Sequence, residues 1–272
     1  MSDFDFLQNA TIGQYIPTES ILHRIEPRAK IIGFGALILA ITFSPSPIGI
    51  AIGLATTLFG LVIARIPLKF ALKRLTPPLP FLIIIAGIQI FLFPNAGHPI
   101  LFTLGSIRIS LASIWSGILL ILRFSALILT LSLMSFCLSN SELIHGMQQI
   151  LSPLNRIGIH TMDLIMIIQV TFRFLPILAQ SAERIAKAQA SRGAEWGVKS
   201  RGLLSRVKQI IPLIIPLFVT SLRRTETMAL AMDARAYGYK ANRTSMFEYS
   251  FSWSGAIFLL IVFSIAVAIL FV

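Results

Sequence analysis

Residues 111–137, LASIWSGILLILRFSALILTLSLMSFC, run for 27 positions with a single charged side chain, Arg123. A helical membrane span needs roughly 20 mostly apolar residues, and hydrocarbon offers the backbone no hydrogen-bond partner beyond its own segment. No other stretch limits the fold so strongly. Four more runs share its character: IIGFGALILAITF (31–43), IGIAIGLATTLFGLVIA (48–64), LPFLIIIAGIQIFLF (79–93) and GAIFLLIVFSIAVAILFV (255–272). The first of these is short even with its flanks. SPSP at 44–47 parts it from the second, because proline removes a backbone donor and turns the chain. The two are expected to form a tight hairpin that need not span fully. MDLIMIIQVTFRFLPIL (162–178) stays ambiguous as a sixth span, since Arg173 and Pro176 interrupt it and basic sequence follows.

Composition places the whole chain in the same class. Charged residues make up 12%, where a soluble domain carries roughly 25%, and the mean hydropathy is +0.83. The opening MSDFDFLQNATIGQY is acidic and polar, where a secretory signal would show a basic end and then an apolar run. The spans are therefore expected to act as their own insertion signals. Cys137 is the one cysteine, which excludes an internal disulfide and a Cys-cluster metal site. Within its apolar run it reads as a buried structural thiol.

The net charge is +12, and its placement gives the topology. Apolar runs divide the cations into blocks, as for loops kept on one side of a membrane, and no soluble basic domain is present to hold nucleic acid. Arg24, Arg28 and Lys30 precede the first span; Arg65, Lys69, Lys73 and Arg74 follow the second; only Arg108 lies between the third and fourth. Residues 183–243 hold twelve of the 23 Lys and Arg. The N-terminus, the 65–74 loop and the 140–250 segment are thus expected to be cytoplasmic, and five crossings would leave the C-terminus outside. The expected fold is all-α: a polytopic membrane protein of about five, or six, membrane helices plus long crossing cytoplasmic helices. Its parts are 1–139, N-terminal membrane helices; 140–250, a cytoplasmic or interfacial helical region; and 251–272, a C-terminal membrane helix.

The polar interior writes one pattern twice. ERIAKAQASRG (183–193) and ETMALAMDARA (226–236) place Glu, two Ala and Arg at the same offsets. Ala179, Ala182, Ala186 and Gly193 recur at spacings of three, four and seven; Thr227, Ala231, Ala234 and Gly238 recur at four, three and four. Each helix therefore carries a small stripe, which lets two backbones cross closely, although alanine is also simply the best helix former. Between the repeats, Pro212 and Pro216 in IIPLIIPLF predict a break rather than a continuous helix. Upstream, SELIHGMQQILSPLNRIG predicts a helix capped by Ser141 and stopped at Pro153.

Each repeat ends at an arginine between small residues: Ser191-Arg192-Gly193 and Ala234-Arg235-Ala236. A cation at a helix C-terminus gains about 0.3–1 kcal/mol from the helix dipole, so one such arginine reads as a cap. Two, each with small neighbours that expose the guanidinium, suit docking into carboxylate-lined grooves on two similar partners.

Other motifs lead nowhere. GAEWGVKS (193–200) has Val198 where a phosphate-binding loop needs glycine before lysine. His23, His98, His145 and His160 stand in separate segments with no metal-site spacing. No acidic residue lies between Glu26 and Glu142, which argues against an ion-coupled secondary transporter and an intramembrane hydrolase. Asp163 and Asp233 are too isolated for a polytopic membrane enzyme such as a lipid transferase. Arg123, deep in a span, reads equally as a functional charge or as an inter-helix hydrogen-bond donor to carbonyls. Arg173 reads as a surface-level residue whose stem snorkels.

Three segments carry a family resemblance: IGQYIPTESILHRIEPRAKII (12–32), RFLPILAQSAERIAKAQASRG (173–193) and PLFVTSLRRTETMALAMDARAYGY (216–239). The chain resembles the transmembrane T component of energy-coupling factor (ECF) transporters along nearly its whole length, and its opening is most like the shared, group II, type. The resemblance implies a non-catalytic subunit in the plasma membrane. It implies as partners two ATP-binding-cassette ATPase subunits, a substrate-binding S component for a vitamin or metal, and the bilayer, with no cofactor or resident metal. Ser191, Arg192, Gly193, Ala234, Arg235 and Ala236 would then dock the ATPases, while Ala179, Ala182, Ala186, Thr227 and Ala231 pack the crossing. Ala236 departs from the family, where glycine is common. The alternative is a conventional ABC-importer permease with its own translocation path, which two arginine repeats in one chain disfavour.

Overall fold

The computed structural model describes residues 16, 18, 20–92, 100–104, 107–153, 161–193, 203–239 and 252–272. His98, His160 and most of GAEWGVKS lie outside them. The chain divides into two compact units: Gly13–Pro153 with Tyr249–Val272, here the membrane unit, and Met1–Ile12 with Leu154–Glu248.

In the membrane unit a short α1 (Ile21–Arg24) leads to α2 (Pro27–Phe43), α3 (Pro47–Ile63), α4 (Leu68–Lys73) and α5 (Leu79–Leu92). After a two-stranded ladder come α6 (Leu111–Cys137), α7 (Asn140–Leu151) and, at the far end of the chain, α10 (Trp253–Phe271). Proline sets two of the starts. Pro27 and Pro47 occupy the first turns of α2 and α3, where the missing N–H is not needed. Ser46 caps α3 by accepting from the Gly49 amide at 3.0 Å, so SPSP does make a tight turn. Yet α2 packs chiefly on α10, α6 and α7 rather than on α3, and α6 touches α2, α3, α4 and α5. Position 49 must be glycine because a Cβ there would lie 2.5 Å from the Ile269 carbonyl oxygen at the end of α10.

Two buried clusters join these helices. One gathers Leu22, Phe34, Leu61, Leu129, Leu133, Phe136 and Cys137, and so Cys137 is the buried thiol its surroundings suggested. The other gathers Leu37, Ile41, Ala126, Val262, Ala266 and Ile269. Thr57 of α3 and Thr130 of α6, both fully buried, hydrogen-bond across the bundle at 2.9 Å; such bonds in membranes contribute about 0.6 kcal/mol on average. The outward faces stay apolar: Leu39, Phe59, Phe81, Leu131 and Leu260 are exposed, as a lipid-facing surface requires.

The all-α reading holds with one small exception. β1 (Ile100–Leu104) and β2 (Ile107–Ser110) pair antiparallel, with Leu104 opposite Ile107, in a segment rich in β-branched and apolar residues. Ser110 then caps α6 through the Ser113 amide.

The second unit contains α8 (Thr161–Ser191) and α9 (Leu203–Ala234), which pack on each other. Among the described residues, α6, α10 and the Asp163–Ser191 stretch of α8 are long and apolar enough to cross a membrane, and Pro47–Ile63 and Leu79–Phe91 are shorter apolar helices. The break predicted at Pro212 and Pro216 is wrong: α9 runs unbroken through both, as α8 does through Pro176. Each internal proline removes one ladder bond and costs about 3 kcal/mol in a helix interior. Their four-residue spacing confines the disruption to one face, and the long helical arms on either side continue the ladder. A second correction concerns α7. Its cap is Ser139, not Ser141: Ser139 Oγ accepts from the Glu142 amide at 3.2 Å, and Glu142 accepts from the Ser139 amide at 3.0 Å. That reciprocal pair is a capping box, available only at the S-x-x-E spacing.

Candidate functional site

The two arginine motifs each close their helix at a left-handed residue directly after the arginine. At the end of α8 the Gly193 amide donates to Ala190 O at 3.0 Å and Gly193 adopts φ +86. At the end of α9 the Ala236 amide donates to Asp233 O at 2.8 Å, and the Tyr237 amide reaches back to Met232 O at 3.0 Å. This pair of bonds around a left-handed residue is the Schellman closure. It puts Arg192 and Arg235 at the equivalent C-cap position of each helix.

Ala236 sits at φ +53, in the region Gly193 occupies. The departure from glycine therefore keeps the backbone geometry, at a steric cost of roughly 1–2 kcal/mol for a residue with a Cβ. Flanking residues are small and open: Ser191, Arg192, Gly193, Ala234, Arg235 and Ala236 are all exposed. Among the described residues neither guanidinium has a hydrogen-bond or ion-pair partner. In contrast, Lys187 one turn earlier is paired with Glu183 at 2.5 Å.

The small residues of α8 and α9 are unevenly buried. Ala186 is fully buried, and Ala179 and Ala182 are half-buried. Thr227 and Ala231 are exposed and line two clefts beside the contact, of about 340 and about 420 Å³. Larger side chains also line this junction: Phe174 and Ile177 of α8, Met228 and Met232 of α9. The sequence reading missed them. Their signal was the spacing of three on one helix and four on the other, hidden in runs where nearly every residue is apolar. Four arginines surround this floor: Arg173 and Arg235 at one cleft, Arg223 and Arg224 at the other. Arg173 is exposed.

Arg123 is a hydrogen-bond donor between helices: its Nη2 donates to Ser44 O at 2.6 Å, pinning the α2–α3 turn to α6. No group of three or more His, Cys, Asp or Glu among the described residues is arranged to hold a metal ion.

Comparison with known proteins covers the same ground. The family described as cobalt transport protein, CbiQ, matches residues 18–246. The chain is 34% identical over 251 residues to the energy-coupling factor transporter transmembrane protein EcfT of Brevibacillus brevis, covering 92% of this chain and 93% of that one. It is 32% identical over 265 residues to EcfT of Acidaminococcus fermentans, 97% of each chain. With EcfT of Staphylococcus aureus the identity is 33% over 261 residues, 96% of each.

Proposed function

The chain belongs to the CbiQ family and is a transmembrane T component of an energy-coupling factor transporter, and from that premise we propose that it couples ATPase motion to import. The observation that carries this reading is the matched pair of helix ends. A single exposed C-cap arginine is accounted for by about 0.3–1 kcal/mol of dipole interaction. Two arginines in equivalent caps, neither with a partner among the described residues, are better accounted for by two similar docking grooves. An arginine desolvated in such a groove typically contributes about 2 kcal/mol or more.

Arg192 docks on one ATP-binding-cassette ATPase and Arg235 on the other, with Ser191, Gly193, Ala234 and Ala236 leaving room for the groove walls. Closure of the ATPase pair on ATP draws the two tips together and changes the crossing of α8 and α9. Exposed apolar residues on these helices, among them Ile167, Phe172, Ile215 and Phe218, contact lipid and a membrane S component that carries a vitamin or metal. The region 140–250 is the coupling region and lies with the N-terminus on the cytoplasmic side of the plasma membrane, its first helix α7 packing within the membrane unit; 1–139 and 251–272 supply the membrane parts. The chain itself catalyses nothing.

Affinity purification of the chain from its native membrane tests the reading by stoichiometry and by mutation. Two ATPase subunits should accompany each copy. Arg192→Glu with Arg235→Glu should abolish their capture and leave the thermal unfolding of the purified chain in place. Undiminished capture by the double variant would refute the docking role, and a single ATPase per chain would favour the conventional permease.

A further inference from the structure

Glu26 and Lys30 lie four residues apart in IEPRAK, are 6% and 1% exposed, and face different neighbours. Lys30 Nζ donates to His23 O at 2.8 Å, to Cys137 O at 3.2 Å and to Glu142 Oε1 at 3.4 Å. It thereby fastens the end of α6 and the capping box that starts α7. Just beyond, Gly146 brings α7 so close to α2 that a Cβ there would lie 2.6 Å from Ile31 Cδ1 and 3.2 Å from Pro27 Cβ. Glu26 works on the other side. Its Oε1 pairs with Arg28, and its Oε2 accepts from the Ser252 amide at 3.5 Å, at the start of α10. Gly255 packs against Ala29 and the same carboxylate.

These two attachments have a common place in the chain. The division between the units falls at Pro153/Leu154 and at Glu248/Tyr249. α7 is the last helix before the first connection, and α10 is the first helix after the second. The described helices that flank these two divisions on the side of the membrane unit, α7 and α10, are therefore both attached at Glu26–Lys30. Glu26 is the residue just before the helix and Lys30 lies in its first turn, so one short stretch holds both attachments, on different sides and with charges of opposite sign.

We propose that this first turn of α2, Glu26 to Lys30, is the fixed fulcrum of the membrane unit, with Glu26, Lys30 and Glu142 as positioning residues for coupling. The proposal rests on the coupling role given above. Movement of α8 and α9 enters the membrane unit through two connections, and fastening both to α2 delivers it to the bundle as a whole. Were α7 or α10 free to slide, the movement would be absorbed in that helix alone.

The test uses the full complex in cells, scored for uptake of tritiated riboflavin, thiamine and folate and of radioactive cobalt(II), with ATP hydrolysis measured on the purified complex. One arm introduces Pro27→Cys with Gly146→Cys, whose Cβ separation of 3.2 Å is close to the roughly 3.5–4.5 Å of ordinary disulfides. Oxidation should leave uptake within about twofold of the reduced protein, since a fixed joint loses nothing by being locked. Uptake that stops on oxidation and returns on reduction would mean that α7 slides on α2, and the fulcrum would be refuted. The second arm uses Glu142→Gln, which keeps the capping box, and Glu26→Gln. Each should retain ATPase capture and hydrolysis while uptake per ATP falls about tenfold, the scale of substitutions on a coupling path. Unchanged uptake per ATP, or parallel losses of uptake and hydrolysis, would reduce these residues to structural supports. Failure of the wild-type chain to bring down ATPases would overturn the coupling role and the fulcrum together; failure of either arm with capture intact overturns the fulcrum alone.

Discussion

Lys30 and Arg192 are both cations at the ends of helices, and the two units treat them in opposite ways. Lys30, in the membrane unit, is 1% exposed and has three oxygen partners drawn from α1, α6 and α7. Arg192, in the other unit, is exposed and has none among the described residues. Arg235 repeats the second pattern, whereas the half-buried Arg123 lies between the two, its Nη2 donating to Ser44 O. A cation inside a bundle must be satisfied by the bundle itself, because desolvating it unpaired is prohibitive. One held at an open helix end keeps its donors for something outside the chain.

The sharpest way to break this comparison is to make the same change on both sides. Lys30→Met strands Glu142 and two carbonyls, and should lower the unfolding free energy by about 3 kcal/mol. Arg192→Met should shift it by less than about 0.5 kcal/mol. Thermal unfolding of the two purified variants in one detergent checks the ratio, and equal losses would erase the distinction. Next in size is binding: Arg235→Ala should weaken ATPase capture about 30-fold, the equivalent of about 2 kcal/mol, as read by titration of the purified ATPases. Smaller again is the backbone effect at the α9 cap. Ala236→Gly should stabilise by up to about 1 kcal/mol by relieving φ +53, whereas Gly193→Ala should destabilise by a similar amount.

The smallest effect concerns His23, which lies beside Lys30. Burial pushes its pKa below the ordinary 6.5, and Lys30 adds to the push, against the opposing pull of the Phe136 carbonyl and Glu142. A histidine held neutral takes up fewer protons folded than unfolded. Its contribution to stability is thus complete above about pH 6.5 and declines as the pH falls below that value toward the folded pKa. Melting curves of the wild type and His23→Asn between roughly pH 7.5 and 5.5 should show the steeper loss in the wild type.

Much of this was legible in the sequence. Apolar runs and prolines placed α2, α3, α5, α6 and α10 close to their observed limits, because a long apolar run decides its own conformation and position in lipid. The repeated ending also foretold two similar helix ends, since a Schellman closure depends on a few adjacent residues. Local rules misled where they were applied one residue at a time. Pro212 and Pro216 looked like breaks, but the helical arms on either side carried the helix through. Ser141 looked like the cap, but Ser139 had the glutamate at the required spacing.

Taken alone, then, the sequence determined that this chain lives in a membrane, where its helices run, and that two of them end in the same arginine-bearing turn. It counted Lys30 as a loop cation that orients the protein. Only the tertiary structure decided that Lys30 is buried, that Glu26 and Lys30 gather α7 and α10 onto one turn, and that Arg123 serves the α2–α3 hairpin. The reason is one of range. Helix formation and capping are settled within a few residues, whereas a charge's fate depends on oxygens that the fold brings from residues 107 and 112 positions away.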